Sequence, residues 1–298
     1  RRLDLTSLAE YLTYGCVPAP RTIFSGIHKL PPAGRIVVEG GVPRSDTYWE
    51  YPLGAARSNL SLPAATQQFR ELLEQAVARR LMTEVPLGVF LSGGIDSSTI
   101  AALMCRTSTS RVQSFAIGFS EQEVDESQHA RAVAEHLGTE HHEQVLTPQA
   151  SLDLVPQLGR LLDEPFADAS VIPTLLLSQF TRQHVTVALG GDGGDELLAG
   201  YPLFAAHRLA ARLERSPQAV WHMAGKLVDK LPRWLTARHV VRQADRFAAA
   251  MRHDSSVARH YSWRGGFRPD DLPSLLTRDA AAELGDADPY APALTYAD

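Results

Sequence analysis

The sequence predicts an α/β fold: a doubly wound parallel sheet with helices on both faces, followed by a helical region. Three features carry this expectation. From about residue 63 to residue 200, short strand-like runs alternate with helical stretches of about 10–15 residues, the pattern of successive βαβ units. Two glycine-rich turns stand where predicted strands end and helices begin, at 92–94 and 190–194. After Gly200 the strand signals stop. In a doubly wound sheet, ligands sit outside the carboxyl ends of the strands, so these two turns are the candidates for chemistry.

The elements follow from local pattern. From Pro63 onward, Phe69, Leu72, Leu73, Ala76, Val77 and Leu81 keep the i, i+3, i+4 spacing of an amphipathic helix. Residues 86–91 read as a buried strand, 97–104 as a helix and 111–119 as a second strand. A helix is expected over 125–137, with Ala130, Val133, Ala134 and Leu137 on one face. A short strand at 142–146, helices at 148–162 and 171–180, and a β-branched strand at 185–189 complete the alternation. The first 60 residues differ in texture. Turn-rich Val17-Pro18-Ala19-Pro20 and Leu30-Pro31-Pro32-Ala33-Gly34 flank strand-like pieces such as Arg35-Ile36-Val37-Val38, and a connector over 49–63 holds Pro52, Gly54, Ser58 and Pro63. A domain boundary is expected near residue 60.

Composition removes several classes. With 298 residues, 44% hydrophobic and 21% charged, the chain is neither disordered, collagen-like nor a small disulfide scaffold. Its formal charge of −5 argues against the whole chain binding nucleic acid. Apolar runs such as Val185 to Leu189 fall far short of the roughly 20 residues that cross a bilayer. Cys16 and Cys105, the two cysteines, show no framework or zinc spacing and are expected to be reduced thiols of a cytoplasmic protein. Arg1-Arg2-Leu3-Asp4 leads into a polar helix-like stretch rather than an apolar targeting segment. Without an initiating methionine, the chain reads as part of a longer protein. Residues 201–269 hold 13 Lys or Arg against 4 Asp or Glu, as solvated helical faces with Arg stems covering apolar surface or as an anion- or RNA-binding face.

The first turn, Leu91-Ser92-Gly93-Gly94-Ile95-Asp96-Ser97-Ser98, follows a strand and opens a helix. A helix N-terminus offers unpaired N–H groups and partial positive charge, and glycines let the backbone approach an anion closely. Ser92, Ser97 and Ser98 add hydroxyl donors. Asp96 repels phosphate and suits a Mg2+ ion that neutralises it. The string Gly-x-x-x-x-Gly-Lys-Ser/Thr of the Walker loop is absent. The turn resembles the Ser-Gly-Gly-x-Asp-Ser pyrophosphate loop of the N-type ATP pyrophosphatases, which grips the β,γ-phosphates while a substrate attacks the α-phosphate.

The second turn, Leu189-Gly190-Gly191-Asp192-Gly193-Gly194-Asp195-Glu196-Leu197, sets three carboxylates beside four glycines. That composition suits a Mg2+ ion or the orientation of a cationic amine, or a plain turn; the Asp-x-Asp-x-Asp-Gly spacing of a calcium loop is missing. Together with Asp163-Glu164-Pro165-Phe166-Ala167-Asp168 and Leu137 to Glu143, the turn resembles the synthetase domain of glutamine-hydrolysing asparagine synthetases, in its bacterial form. The likeness runs from about Pro63 to Tyr201. Pro18 to Phe24, Pro32 and Tyr48-Trp49 resemble the joint between that family's glutaminase and synthetase domains. By resemblance, residues 1–60 are the tail of the glutaminase domain with the interdomain linker, and 61–298 the synthetase domain of the ATP-pyrophosphatase type.

The resemblance implies ATP and Mg2+ as cofactors. Leu91 and Ile117 would contact the adenosine; Ser92, Gly93, Gly94 and Ser97 the pyrophosphate; Gly190 and Gly191 the nucleotide's flank. Asp96 and Asp195 would hold Mg2+, and Asp192 takes the acidic position linked to forming the acyl-adenylate. It also implies a carboxylate substrate, aspartate by default, ammonia drawn from glutamine by a glutaminase domain of the same parent chain, and a homodimer. The rival readings are a ligase acting on another carboxylate, an intramolecular amide-forming cyclase, a tRNA-modifying pyrophosphatase and a non-catalytic nucleotide-binding protein. Two family features have no match here: the N-terminal nucleophilic cysteine, which Cys16 does not replace, and a catalytic lysine in a later helix, for which Lys226 and Lys230 lack the context. His141 and His142 are expected on opposite faces of a strand, unable to share one ion, with one imidazole near the nucleotide pocket as the alternative. Asp163, Glu164 and Asp168 either cap the next helix or line an acyl-acceptor pocket. Trp221, Trp234 and Trp263 read as packing residues.

Overall fold

A four-stranded parallel sheet organises the middle of the chain in the computed structural model, which describes residues 2–52, 58–120, 125–213, 220–221, 223, 239–253, 255–264 and 266–295. The chain divides into two compact units, one of residues 56–161 and 168–200, the other of 1–55, 162–167 and 201–298.

The hairpin of the second unit comes first in the chain: β1 (Gly34–Glu39) and β2 (Val42–Thr47) pair antiparallel through Glu39↔Val42 across a two-residue turn. The sheet of the other unit follows, with β3 (Leu87–Phe90), β4 (Gln113–Phe119), β5 (Glu140–Leu146) and β6 (Val187–Leu189) in the order β5-β4-β3-β6. All three pairings are parallel, with Phe90↔Phe115, Phe115↔His142 and Val89↔Leu189 in register. The chain therefore winds outward from β3 to β4 and β5, then returns to the other side of β3 with β6. The order reverses between β3 and β6, the place where open α/β sheets leave a crevice at their carboxyl ends.

Helices close the connections. The helix before β3, α2 (Leu62–Arg80), starts at Ser61, whose Oγ accepts from Ala64 N at 3.4 Å, with Pro63 in its first turn and Arg79 and Arg80 in its last. Then come α3 (Ile95–Thr107), α4 (Ser127–Leu137), α5 (Pro148–Leu161) and α6 (Val171–Thr181). Val77, Val89, Leu91, Ala101, Met104, Val112, Ala116, Ala130 and Ala134 bury one continuous core from α2, α3 and α4 against β3 and β4. Strand β5 begins two residues before the expected 142, because Glu140 pairs with Gln113 and its N–H donates to Val112 O at 2.9 Å. Polar Glu140 and His141 hide that start: an edge strand needs no apolar residue at every position.

In the other unit, α1 (Leu5–Tyr14) is capped by Asp4, whose Oδ1 accepts from Ser7 N at 2.8 Å, and ends at Gly15. After the hairpin and the later part of the chain come α8 (Pro202–Leu213), α9 (His239–Ala250), α10 (Ser256–Arg264), a 3-10 turn (Pro269–Asp271), α11 (Leu272–Leu275), α12 (Arg278–Leu284) and α13 (Ala291–Leu294), while α7 (Gly194–Leu198) belongs to the sheet unit. Trp263 stacks on Phe247 at 5.5 Å and meets His207 edge-on at 4.9 Å, and Trp221 lies 6.0 Å from Phe247, so both are packing residues. Trp234, Lys226 and Lys230 lie outside the described residues. Cys16 and Cys105 are free thiols. Among the described residues no helix is long and apolar enough to cross a membrane.

Candidate functional site

Both glycine turns leave the carboxyl ends of adjacent strands, the first from β3 and the second from β6. The first is a closed hydrogen-bonded loop. Ser97 Oγ accepts from Ser92 N at 3.2 Å, donates to Gly94 O at 3.3 Å and lies 3.0 Å from Ser92 Oγ, while Ser92 Oγ accepts from Gly94 N at 3.3 Å. Leu91 is fully buried beneath it and donates its N–H to Phe115 O at 2.8 Å, which ties the loop to β4. Gly93 has φ +81°, and a Cβ there would lie 2.5 Å from His129 C and 2.6 Å from Ala130 N. The start of α4 is thus pressed onto the loop, and Gly93 answers both the left-handed backbone and the lack of space. Among the described residues no side chain caps α3, whose N-cap is Gly94, an arrangement that leaves its first N–H groups able to meet an anion.

The second turn touches the first. A Cβ on Gly191 would lie 2.8 Å from Ser97 N and 2.9 Å from Asp96 Cβ, and one on Gly194 would lie 2.5 Å from Asp96 Cγ. Asp96 is therefore held between the helix it opens and the second turn, and its carboxylate makes no hydrogen bond or ion pair with any described residue. The other acidic groups spread out along the turn. The Asp192 carboxylate folds back over Gly190, and that of Asp195, in the first turn of α7, lies over Gly200. Ser92, Gly93, Gly94, Asp96, Ser97 and Gly191 thus come together as one cluster. Ile117, half-buried, sits two residues past the last β3–β4 pair, on the stretch of β4 that continues beyond β3. Among the described residues, no three histidine, cysteine or carboxylate groups converge as a ready-made metal site.

Other predicted residues fall elsewhere. His141 and His142 point to opposite faces of β5: His141 Nδ1 lies 2.9 Å from Ser114 Oγ, whereas His142 stacks on Phe115 at 5.1 Å and lies 4.2 Å from the His184 ring. Glu164 accepts from Ile23 N at 3.2 Å and pairs with Lys29, within the other unit. Asp168 Oδ1 accepts from Ser170 N at 2.8 Å, a turn-closing contact just ahead of α6.

The sequence model of the asparagine synthase family matches residues 68–286, which include both turns. The chain belongs to the asparagine synthase family. A Mycobacterium tuberculosis protein provisionally named a glutamine-hydrolysing asparagine synthetase is 29% identical over 297 residues, 97% of this chain and 45% of that protein. Glutamine-hydrolysing asparagine synthetase 1 of Bacillus subtilis is 28% identical over 243 residues, 80% of this chain and 38% of that one. Glutamine-hydrolysing asparagine synthetase 2 of Arabidopsis thaliana is 34% identical over 178 residues, 56% of this chain and 30% of that one. The chain spans less than half the length of these curated relatives. Among solved structures, an NH3-dependent NAD synthetase from Campylobacter jejuni is 19% identical at a TM-score of 0.33, covering 45% of this chain and 60% of that one.

One residue of this asparagine synthase family chain that sequence reasoning missed is Asp125. Its Oδ1 accepts from Phe119 N and Ser127 N, both at 3.1 Å, and its Oδ2 from Ser127 Oγ at 3.0 Å. These bonds, led by the Phe119 N–H, hold its carboxyl below the usual carboxylate range. Asp125 thereby locks the end of β4 to the start of α4, the helix that presses on Gly93. The readable signal is Asp125-Glu126-Ser127, an acidic residue two places before a helix-opening serine.

Proposed function

We propose that this chain is the nucleotide-binding and amide-forming core of a carbon–nitrogen ligase: aspartate, ATP and glutamine-derived ammonia give asparagine, AMP and pyrophosphate. The observation that carries the reading is the packing of the two turns, with Gly191 and Gly194 against Asp96 and Ser97 at the start of α3. It joins a phosphate-cradling helix start to an acidic turn from the neighbouring strand. In this reading residues 1–60 are the end of a glutaminase domain with its linker, and 61–298 the synthetase domain.

The first N–H groups of α3, with the hydroxyls of Ser92 and Ser97, hold the β,γ-phosphates, and Gly93 and Gly94 keep side chains out of the way. Half-buried Ile117 offers the apolar rest for the adenosine, fully buried Leu91 supports the loop from beneath, and Gly190 and Gly191 lie alongside. A carboxylate oxygen of the substrate attacks the α-phosphorus, the bond from that phosphorus to the bridging oxygen breaks, and pyrophosphate leaves. Fixed donors aimed at the departing oxygens offset the charge that builds there. Asp192 orients the reacting carboxylate carbon for ammonia, whose nitrogen displaces AMP and loses a proton to give the amide.

Asp96 and Asp195 fit a Mg2+ ion by chemistry: each offers hard carboxylate oxygens not engaged by any described protein cation, and Mg2+ is usually bound through one or two carboxylates with water and phosphate. When bound there, the ion would supply positive charge to the polyphosphate.

The test is exchange of labelled pyrophosphate into ATP by the full-length protein, with a panel of acids beginning with aspartate. Aspartate-dependent exchange is expected. Exchange with a different acid alone would replace the substrate and keep the mechanism; no exchange with any acid, despite ATP binding, would overturn the adenylation reading.

A further inference from the structure

The first turn of α4 carries a side chain that nothing in the proposed ligase chemistry uses. Helix α4 begins beyond the carboxyl end of β4, on the side of the sheet from which both glycine turns leave, and His129 is its third residue. A Cβ on Gly93 would lie 2.6 Å from His129 Cβ and 2.5 Å from its carbonyl carbon. The His129 side chain therefore leaves the helix beside the first glycine turn.

The backbone at that position is held firmly. Asp125 locks the helix start to the end of β4 through the Phe119 and Ser127 N–H groups. Glu126 O accepts from His129 N at 3.0 Å and from Ala130 N at 3.2 Å, and Ala130 is buried in the core. The His129 side chain itself is exposed. Its imidazole makes no hydrogen bond, ion pair or ring contact with any described residue. The other basic groups of α4 are placed differently: Arg131 Nη2 donates to both Glu143 oxygens, at 3.0 and 2.9 Å, and His136 stands in the last turn of the helix.

Charge gives this placement its meaning. The two turns, Leu91 to Ser98 and Leu189 to Leu197, carry Asp96, Asp192, Asp195 and Glu196 but no lysine, arginine or histidine. The Ser92 and Ser97 hydroxyls are bonded to each other and to the loop backbone, so the first turn offers only neutral donors of its own. An anion seated there gains from a donor that comes from outside the turns. An imidazole supplies an N–H in either protonation state and a positive charge once protonated. Its hydrogen bond to a phosphate oxygen is charge-assisted, roughly twice as strong as one between neutral groups.

We infer that His129 is a polyphosphate-binding residue, its ring N–H donating to a terminal phosphate oxygen of the nucleotide seated on the first glycine turn. The inference rests on the proposed reading of that turn as a phosphate cradle, and it adds a donor from a third element, α4. It also makes His129 a determinant of selectivity, because a nucleoside monophosphate has no terminal phosphates to meet the ring.

His129→Ala removes the imidazole and keeps the Cβ that packs on Gly93. Full-length wild type and variant are titrated by calorimetry with ATP, inorganic pyrophosphate and AMP in one magnesium-containing buffer. The variant should bind ATP and pyrophosphate about tenfold more weakly, the fold-change of one charge-assisted hydrogen bond, and keep the wild-type affinity for AMP and the wild-type urea midpoint. A purely structural role would weaken all three ligands together. The inference is overturned if the variant binds ATP and pyrophosphate as tightly as the wild type, or if AMP binding falls as far as theirs. A wild-type protein that binds neither ATP nor pyrophosphate would refute the phosphate-cradle reading and the inference with it, an outcome visible before any substitution is made. Should the alanine variant fail to fold, His129→Ser, which also keeps the Cβ, is judged by the same criteria.

Discussion

Replacing Gly93 by alanine tests how tightly the first turn is built. Two costs arise. At φ +81° an alanine enters the left-handed region, at about 1–2 kcal/mol. The new methyl carbon would also stand 2.5 Å from His129 C and 2.6 Å from Ala130 N, backbone atoms of α4 that cannot rotate aside. Overpacking of that kind costs about 1–3 kcal/mol. The sum is roughly 2–5 kcal/mol, a large share of a typical folding free energy of about 5–15 kcal/mol. Gly138 isolates the first cost, since its φ is +69° and nothing lies within 4 Å of an added Cβ. Gly138→Ala should therefore lose about 1–2 kcal/mol. The reduced freedom of the unfolded chain is common to both variants and cancels in the comparison. Urea unfolding of the two proteins, with slopes compared, measures the difference, and ATP affinity should fall in Gly93→Ala alone. If the two variants unfold within about 0.5 kcal/mol of each other, the close packing of α4 on the turn is wrong.

Three further outcomes are expected. Asp96→Asn should abolish Mg2+-dependent ATP turnover in the full-length protein with its melting temperature little changed; wild-type turnover in the folded variant would refute the metal-holding role proposed for Asp96. Asp125 has a depressed carboxyl pKa, so its stabilisation is complete above the unfolded value of about 3.9 and is lost as pH falls through the folded value. Asp125→Asn should accordingly be less stable than the wild type at pH 7, with the deficit shrinking as pH falls below the unfolded value; urea midpoints at pH 7 and in acid check this, and a deficit independent of pH would count against it. His207 Nε2 and His260 Nδ1 lie 3.1 Å apart, and burial holds both rings below their ordinary range. The unfolded chain then takes up protons first, so stability should decline as pH falls from above about 6.5. His207→Phe should flatten the dependence of unfolding free energy between pH 7.5 and 5.5, and an unaltered slope would rule the pair out as its source.

The alternation of strands and helices between residues 63 and 200 was legible because short apolar runs mark β3, the buried half of β4 and β6, and i, i+3, i+4 spacing marks the helices packed on one face. The first turn was legible for a related reason, since Ser92 to Ser97 concentrates glycine and hydroxyl residues within a single strand-to-helix step. What the sequence hides is pairing across distance. Nothing in the text of the chain says that Gly194 meets Asp96, because that contact follows from β6 pairing with β3 rather than from any local pattern. Glu164 shows the opposite failure: its acidic neighbours suggest a helix cap or an acyl pocket, but Lys29 and the Ile23 N–H, more than 130 positions away, claim it. Asp125 was readable as a turn former, yet its importance depends on what α4 presses against.

The pairing of Val89 with Leu189 has a consequence for how the protein comes into being. Strands β3, β4 and β5 are joined by short local crossovers, but β6 must return to β3 across 100 positions of chain, a slow closure by the logic of contact order. At about 5–20 residues per second, a ribosome completes β3 roughly 5–20 seconds before β6 exists. During that interval the inner edge of β3 is unpaired and the second glycine turn has not been made. The contact between the two turns therefore arrives with the last strand, and nascent chains stalled before residue 189 should display an open sheet edge that a partner chain can occupy.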